Sequence, residues 1–197
     1  MSDPAPARLT LASTSPYRRE LLSRLQIPFE VVAPGVDETP LQGEDARSLA
    51  LRLAVSKAQS VTAARPDRII IGSDQVAVVG ETILEKPGAH ELAVEQLKRM
   101  RARTVEFHTA LCVINSRTAR EQTQTVTIRV LMGSYSDEQI ERYLHTEQPY
   151  DCAGSARIEG LGISLVEKLE GDDPTALIGL PLIALCRMLR EEGIDLP

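Results

Sequence analysis

The segment Ile69 to Val79, IIIGSDQVAVV, sets an acid where an apolar strand should end. Three isoleucines carry a buried strand to Gly72, and Asp74 follows at once. Aspartate is a poor strand former, and a carboxylate at the end of a buried strand is typical of a cleft, where it can hold a metal ion or take a proton. The same spacing also suits an aspartate that caps its own turn. A second segment of this kind is LASTSPYRRELL, Leu11 to Leu22. A strand runs into Ser13-Thr14-Ser15, and a helix opens at Pro16. Backbone N–H groups at a helix start favour an anion. Arg18 and Arg19 in that first turn oppose the helix dipole. A bound phosphate would remove the conflict, because arginine suits bidentate contact with phosphate. A capped helix with two solvated arginines would carry the same residues.

Further charges need a reason. Lys57 falls beside Ala54 and Ala58 on the apolar side of a helical pattern, so it must snorkel or find a partner. Asp37-Glu38 sits in a turn after a strand, and Lys86-Pro87 follows a hairpin. Taken singly, each reads as a solvated surface charge. Other signatures are missing: there is no GxxxxGK[ST], GxSxG or HExxH. Gly160-Leu161-Gly162 lacks the third glycine of a dinucleotide loop and precedes an expected strand. Gly171-Asp172-Asp173-Pro174 reads as an exposed turn.

The elements that must position these residues follow from hydrophobic period and turn residues. Strands are expected at Leu9 to Ala12, Phe29 to Ala33, Thr82 to Leu84, Thr104 to Ile114, Glu121 to Met132 and Ile163 to Glu167. Another runs from Arg68 to Val79, interrupted at Gly72-Ser73-Asp74. Helices are expected at Tyr17 to Leu25, Glu44 to Ala64, His90 to Met100, Pro181 to Glu191, and from the Ser136/Gln139 capping box to His145. Gly154 to Gly162 reads as a glycine-punctuated loop. Strands and helices alternate irregularly around one long antiparallel pair, which implies an α/β fold with a mixed sheet. Residues 1–8 read as a flexible tail without a signal peptide, and residues 9–197 as a single domain.

Composition excludes several functions. The 197 residues carry a net charge of −6, which argues against broad nucleic-acid binding, since that needs a basic face. Four tyrosines, two phenylalanines and no tryptophan offer no stacking platform for single strands. The longest nearly apolar run, Leu177 to Cys186, is too short to span a bilayer. Three cysteines lie far apart and match neither a disulfide framework nor a zinc pattern, which suits a reducing cytoplasm. The three histidines, His90, His108 and His145, are equally scattered. Any metal is therefore expected to be a hard cation on oxygen ligands.

Taken together, these segments resemble the Maf family of nucleoside triphosphate pyrophosphatases. LASTSPYRRELL, VDET at Val36 to Thr39, the Lys57-Ala58 helix, GSDQV at Gly72 to Val76, EKP at Glu85 to Pro87, AGSARIEGLG and GLPL fall in the family's order and spacing. The resemblance runs from Leu9 to about Leu189. It implies a Maf/ITPase-like fold, an elongated mixed sheet with two lobes flanking a substrate groove. It also implies cleavage of a nucleoside triphosphate into monophosphate and pyrophosphate with a divalent cation, Mg2+ or Mn2+. By resemblance, Asp74 is the proton acceptor, and Ser13, Arg18, Arg19, Lys57 and Lys86 bind phosphate. Glu38 and Asp74 are the expected metal ligands. GSDQV is similar to the branch acting on 7-methyl-GTP, in which Tyr17, Gln75 and Glu159 take the positions that set base choice. That branch is associated with tryptophan where this chain has Tyr17. The chemistry agrees: an aromatic face attracts the cationic methylated base, and a carboxylate accepts from the guanine edge. The same chemistry on dTTP or UTP, and a nucleotide-binding regulator of cell division, remain as alternatives. The implied partner is a nucleotide rather than nucleic acid or membrane, and a homodimer stays open.

Overall fold

The structure, a computed structural model, describes residues 9–197. The expected tail, residues 1–8, lies outside them. The sheet is built from β1 (Leu9–Ala12), β2 (Phe29–Val32), β3 (Ile69–Val79), β4 (Thr82–Leu84), β5 (Thr104–Asn115), β6 (Arg120–Met132) and β7 (Val166–Glu170). Its order is β2-β1-β3-β5-β6-β7, with β4 also on β3. The β1–β2 and β1–β3 pairs are parallel, and the other pairs are antiparallel. The expected mixed α/β sheet is therefore present. Among the described residues, no helix is long and apolar enough to cross a membrane.

Helix α1 (Pro16–Ser23) starts as its sequence demands: Ser15 accepts from Arg18 N–H, and Pro16 occupies the first turn. Helix α2 (Ala46–Thr62) is capped by Asp45, which accepts from the N–H groups of Arg47 and Ser48. Helices α3 (His90–Met100) and α4 (Asp137–Glu147) follow, and α4 opens on the expected capping box at Ser136. Short α5 (Pro174–Ile178) and α6 (Leu182–Glu191) close the chain.

Alternation along β3 divides the core. Ile70 and Val76 face α2, in a cluster with Leu49, Leu53, Ala54 and Ala58. Ile69 and Ile71 face the opposite way, against Leu21, Leu22 and the α6 residues Leu185 and Leu189. Further along that second face, Ala77 and Val79 belong to another cluster, with Leu97, Met100, Ile140 and Leu144 of α3 and α4. These last two clusters are the two lobes, and they part where β3 carries Ser73 and Gln75.

The structure corrects the sequence reading at several elements. β3 is not interrupted at Gly72-Ser73-Asp74. It pairs with β5 without a break from Ile69 to Val79, and Asp74 stands opposite Ala110 in mid-strand. The long ladder with β5 overrides aspartate's low strand propensity. The expected strand from Ile163 begins later. Leu161–Leu165 is a 3-10 helix, and β7 takes its register from pairing with β6. Part of the expected loop, Ala153–Ser155, is also a 3-10 turn. The expected exposed turn at Gly171 to Pro174 is exposed except at Asp173, and it leads into α5 at Pro174. Asp173 is buried, accepts from Thr175 N–H at 3.1 Å, and accepts from Ile183 N–H of α6 at 2.8 Å. One carboxylate thus caps two helices.

Gly72 fixes the distance between β3 and α2. A Cβ there would lie 2.2 Å from Ala54 O and 2.7 Å from Ala58 N, both backbone atoms. Only a residue without a side chain permits that approach. Gly72→Ala should therefore force α2 off the sheet and cost about 3 kcal/mol of stability, read as a lower midpoint in urea unfolding. An unchanged midpoint would contradict the packing described here.

Candidate active site

The parallel partner of β3 stops early. β1 ends at Ala12, opposite Gly72, and β4 joins the same edge only at Ala77. Between these points, Ser73 to Val76 have β5 on one side and no strand on the other. A groove of about 560 Å3 opens at this gap. Because the edge is open there, side chains from both faces of β3 reach it, and both Asp74 and Gln75 line it.

Lys57 is the centre of the site. It is 5% exposed, and its Nζ lies 2.6 Å from Asp74 Oδ1 and 2.6 Å from Glu38 Oε1. The lysine on the apolar side of α2 has thus found two partners rather than snorkelling to water. Glu38 is held by its own turn, where Asp37 accepts from both N–H and O–H of Thr39 at 2.9 and 2.7 Å. Those bonds keep the Asp37 carboxyl below its ordinary pKa. Arg52 of α2 pins the same turn, donating to Thr39 O at 3.0 Å and to both oxygens of Glu44. One helix therefore supplies both the bridging lysine and the anchor of the Glu38 loop.

Arg18 enters from α1. Its Nε donates to Gly179 O at 2.8 Å. Gly179 has φ +122°, a conformation that favours glycine, and its carbonyl faces α1 as a result. Burial pulls the Arg18 pKa down, and the negative charges of Asp74 and Glu38 oppose that shift. Gln75 points to the other face. Its Nε2 lies 2.9 Å from both Ala176 O and Leu177 O and 3.0 Å from Thr109 Oγ1. The Gln75 amide thus ties α5 to the sheet, and through Gly179 it sets where Arg18 sits. Ser13 is buried at the groove's rim, with its Oγ accepting from Ser15 N–H at 3.1 Å. Lys86 is exposed and lines the opposite side.

Arg19 is not brought to the groove. It is exposed and lines a separate shallow depression with Ile27, Phe29 and Val31. Consecutive helical residues point about 100° apart, so Arg18 and Arg19 cannot share the face toward Asp74.

Tyr17 and Glu159 both line the groove, and a residue missed in the sequence, Arg157, contacts both. The Arg157 guanidinium lies over the Tyr17 ring, 5.5 Å from its centroid, and its Nε is 3.6 Å from Glu159 Oε1. Arg157 also donates to Glu147 at 3.0 Å, while its Nε is buried without a hydrogen-bond partner. One face of the Tyr17 ring thus carries the protein's own cation, while Tyr17 itself lines the groove and Arg157 does not. Only its place in ARIEG, two residues before Glu159, hinted at this. Tyr17 OH lies 3.3 Å from Asp151 Oδ2, and Cys152 beside it has its thiol pushed up to about 12 by burial. That thiol is a packing group rather than a nucleophile.

The histidines are also placed otherwise than expected. His90 and His145 are not scattered but stacked, with Glu141 between their ring nitrogens. This cluster lies outside the groove lining.

The Maf-like protein family model matches residues 8–192. The chain belongs to this family. It is 58% identical over 187 residues to a 7-methyl-GTP pyrophosphatase of Thiobacillus denitrificans, covering 95% of this chain and 93% of that protein. It is 54% identical to a protein of the same name from Cupriavidus pinatubonensis, covering 98% and 96%. A third, from Nitrosococcus oceani, is 50% identical, covering 98% and 97%. The Maf fold and its groove between two lobes are thus found as the motifs implied.

Burial raises the Glu159 carboxyl above its ordinary pKa, and the nearby Arg157 only partly offsets this. A raised carboxyl pKa means that the folded state holds a proton that the unfolded chain releases. Stability therefore falls as pH rises through the window above the unfolded value, and stays lower beyond it. Glu159→Gln removes this penalty. Its Tm should exceed that of the unsubstituted protein at pH 7 and above, with the gap closing below about pH 4 in thermal melts.

Proposed function

We propose that this protein hydrolyses 7-methyl-GTP to 7-methyl-GMP and pyrophosphate. The names of the relatives above support this, and they cover nearly the whole chain. The observation that carries the chemistry is Lys57 bridging Asp74 and Glu38 at the open edge of β3.

Phosphoanhydride hydrolysis asks the protein mainly for position and charge. Arg18, Lys57 and Lys86 converge on one groove and can neutralise triphosphate oxygens. Lys57 takes one oxygen from each carboxylate, while Asp74 Oδ2 and the second Glu38 oxygen accept no hydrogen bond from the described residues. Two such oxygens are hard donors and fit a divalent cation of the Mg2+ or Mn2+ kind. When bound there, such a cation would offset phosphate charge and acidify a water molecule. Asp74, held by Lys57 through Oδ1, orients a water for attack on the α-phosphorus and takes its proton as the new P–O bond forms and the bond to the bridging oxygen breaks, releasing pyrophosphate. Ser13 shapes the turn that delivers Arg18, and Gln75 acts through α5 on the same arginine.

The base reading uses Tyr17, Arg157 and Glu159 together. A 7-methylguanine ring is cationic, so the Tyr17 ring and the Glu159 carboxylate, which both line the groove, attract it, while Arg157 contacts the same two residues from outside the lining. Glu159 then accepts from the guanine N–H edge. Three free cysteines, with thiol pKa values raised by burial, fit a cytoplasmic enzyme.

Pyrophosphate release across nucleotides tests the reading. The kcat/KM for 7-methyl-GTP should exceed that for GTP and far exceed that for dTTP or UTP. A preference for dTTP or UTP would reject the base assignment, and no release from any triphosphate with Mg2+ or Mn2+ would favour a binding protein. Asp74→Asn should fold normally and lose about 10²–10⁴-fold in kcat, the usual contribution of a general base. Near-normal turnover in the folded variant would remove Asp74 from that role. In Glu159→Gln, 7-methyl-GTP should lose about tenfold more kcat/KM than GTP, since about 1.5 kcal/mol of charged contact is lost. An equal loss for both would reject Glu159 as the group that reads the base charge.

A further inference from the structure

Outside the groove, α4 carries Glu141 and His145 one turn apart, so both side chains leave the same face. The first residue of α3, His90, meets them from across the lobe. His90 Nε2 lies 2.9 Å from Glu141 Oε2, and His145 Nε2 lies 3.7 Å from the same oxygen. The two imidazoles stack at 5.1 Å with an angle of 27°. One donor atom from each of the three residues falls within a sphere of mutual distances under 4.8 Å. We propose that His90, Glu141 and His145 form a binding site for a borderline transition-metal cation of the Zn2+ class, separate from the cation of the groove.

The donor chemistry chooses the metal. Two imidazole nitrogens and one carboxylate oxygen suit Zn2+ and its neighbours, whereas Mg2+ prefers oxygen alone. Zinc–ligand bonds of about 2.0–2.1 Å put tetrahedral donors about 3.4 Å apart. The observed 2.9 and 3.7 Å bracket that spacing. An orienting group is also built in. His90 Nδ1 lies 3.0 Å from Tyr150 Oη. With a cation on Nε2, the Nδ1–H donates to the tyrosine oxygen, which fixes the tautomer. Without a cation the roles reverse: Tyr150 O–H donates to Nδ1, and Nε2–H donates to Glu141. The His90–Tyr150 hydrogen bond therefore persists in both states, with the ring proton moving from Nε2 to Nδ1 on loading. His145 is exposed and His90 and Glu141 are half-buried, so the cluster is open to a cation from solvent.

The position gives the site a consequence. His90 follows directly on the Glu85–Ala89 segment that carries Lys86, and Tyr150 precedes Asp151 and Cys152, which line the groove. Gly88 N–H already donates to Tyr150 O at 3.0 Å. A cation here would clip both groove-lining segments to α4.

Isothermal titration of Zn2+ into the full chain, with Mg2+ in excess to occupy the groove, tests the site. The unsubstituted protein should show a Zn2+ event that is weakened at least tenfold in His90→Ala/His145→Ala. Tyr150→Phe should weaken it by about tenfold through loss of the orienting bond. His145 is 74% exposed at its side chain, so His145→Ala alone carries the test if the double variant does not fold. Equal Zn2+ affinity in the folded histidine variants, or no Zn2+ uptake by the unsubstituted protein at micromolar concentration, would overturn the proposal.

Discussion

A single buried ammonium organises the active groove. Lys57 sits between two carboxylates, one on a central strand and one on a loop, and its own helix is packed into the core. Desolvating an ammonium is expensive, and removing one partner of such a group typically costs about 3–5 kcal/mol. The positions of Asp74 and Glu38 are therefore linked to the folding of α2. Gly72 is part of the same constraint. Its missing side chain lets α2 approach until Lys57 reaches the carboxylate two residues further along β3. The GSD order thus has a steric reason for its glycine and an electrostatic reason for its acid.

A second set of bonds ties the groove-lining Arg18 to the opposite face of the strand. Ser73 and Gln75 flank Asp74 and point away from it. Ser73 Oγ lies 3.0 Å from Gly179 O, and Gln75 holds the carbonyls of Ala176 and Leu177. Gly179 O in turn receives Arg18. Asp173 holds the far end of this device by capping α5 and α6 together. Three consecutive residues of β3 therefore place a carboxylate on one side and an arginine on the other. A strand edge left open for four residues gives a substrate access to both.

Much of this was legible in the chain, and the exceptions have physical causes. Period and turn residues located β1, β3 to β6, α2, α3, α4 and α6, because each has a strong apolar face or a cap. The ordered motifs named the groove residues. The break expected at Asp74 was wrong, since propensity reads one residue while eleven ladder partners with β5 decide the strand. Asp173 looked like an exposed turn because its second bond, to Ile183, depends on where α6 packs. His90 and His145 looked scattered because their meeting depends on α3 and α4 lying side by side. Arg19 looked equivalent to Arg18 because sequence proximity conceals a turn of 100°.

Arg157 was invisible for a related reason, and it alters how selectivity should be understood. A free aromatic face would attract a cationic base and merely tolerate a neutral one. Here one face of the ring already holds a guanidinium, beside a Glu159 that burial makes reluctant to ionise. That arginine does not line the groove, whereas Tyr17 and Glu159 do. It compensates the carboxylate incompletely, with its Nε unpartnered and 3.6 Å from the nearest Glu159 oxygen. Under the proposed base reading, a methylated guanine would supply a second cation from the groove side and oppose the burial that resists ionisation of Glu159. Ordinary guanine would offer the same edge without that charge. Discrimination would then come from completing the charge balance of a partly buried carboxylate as well as from attraction to the Tyr17 ring.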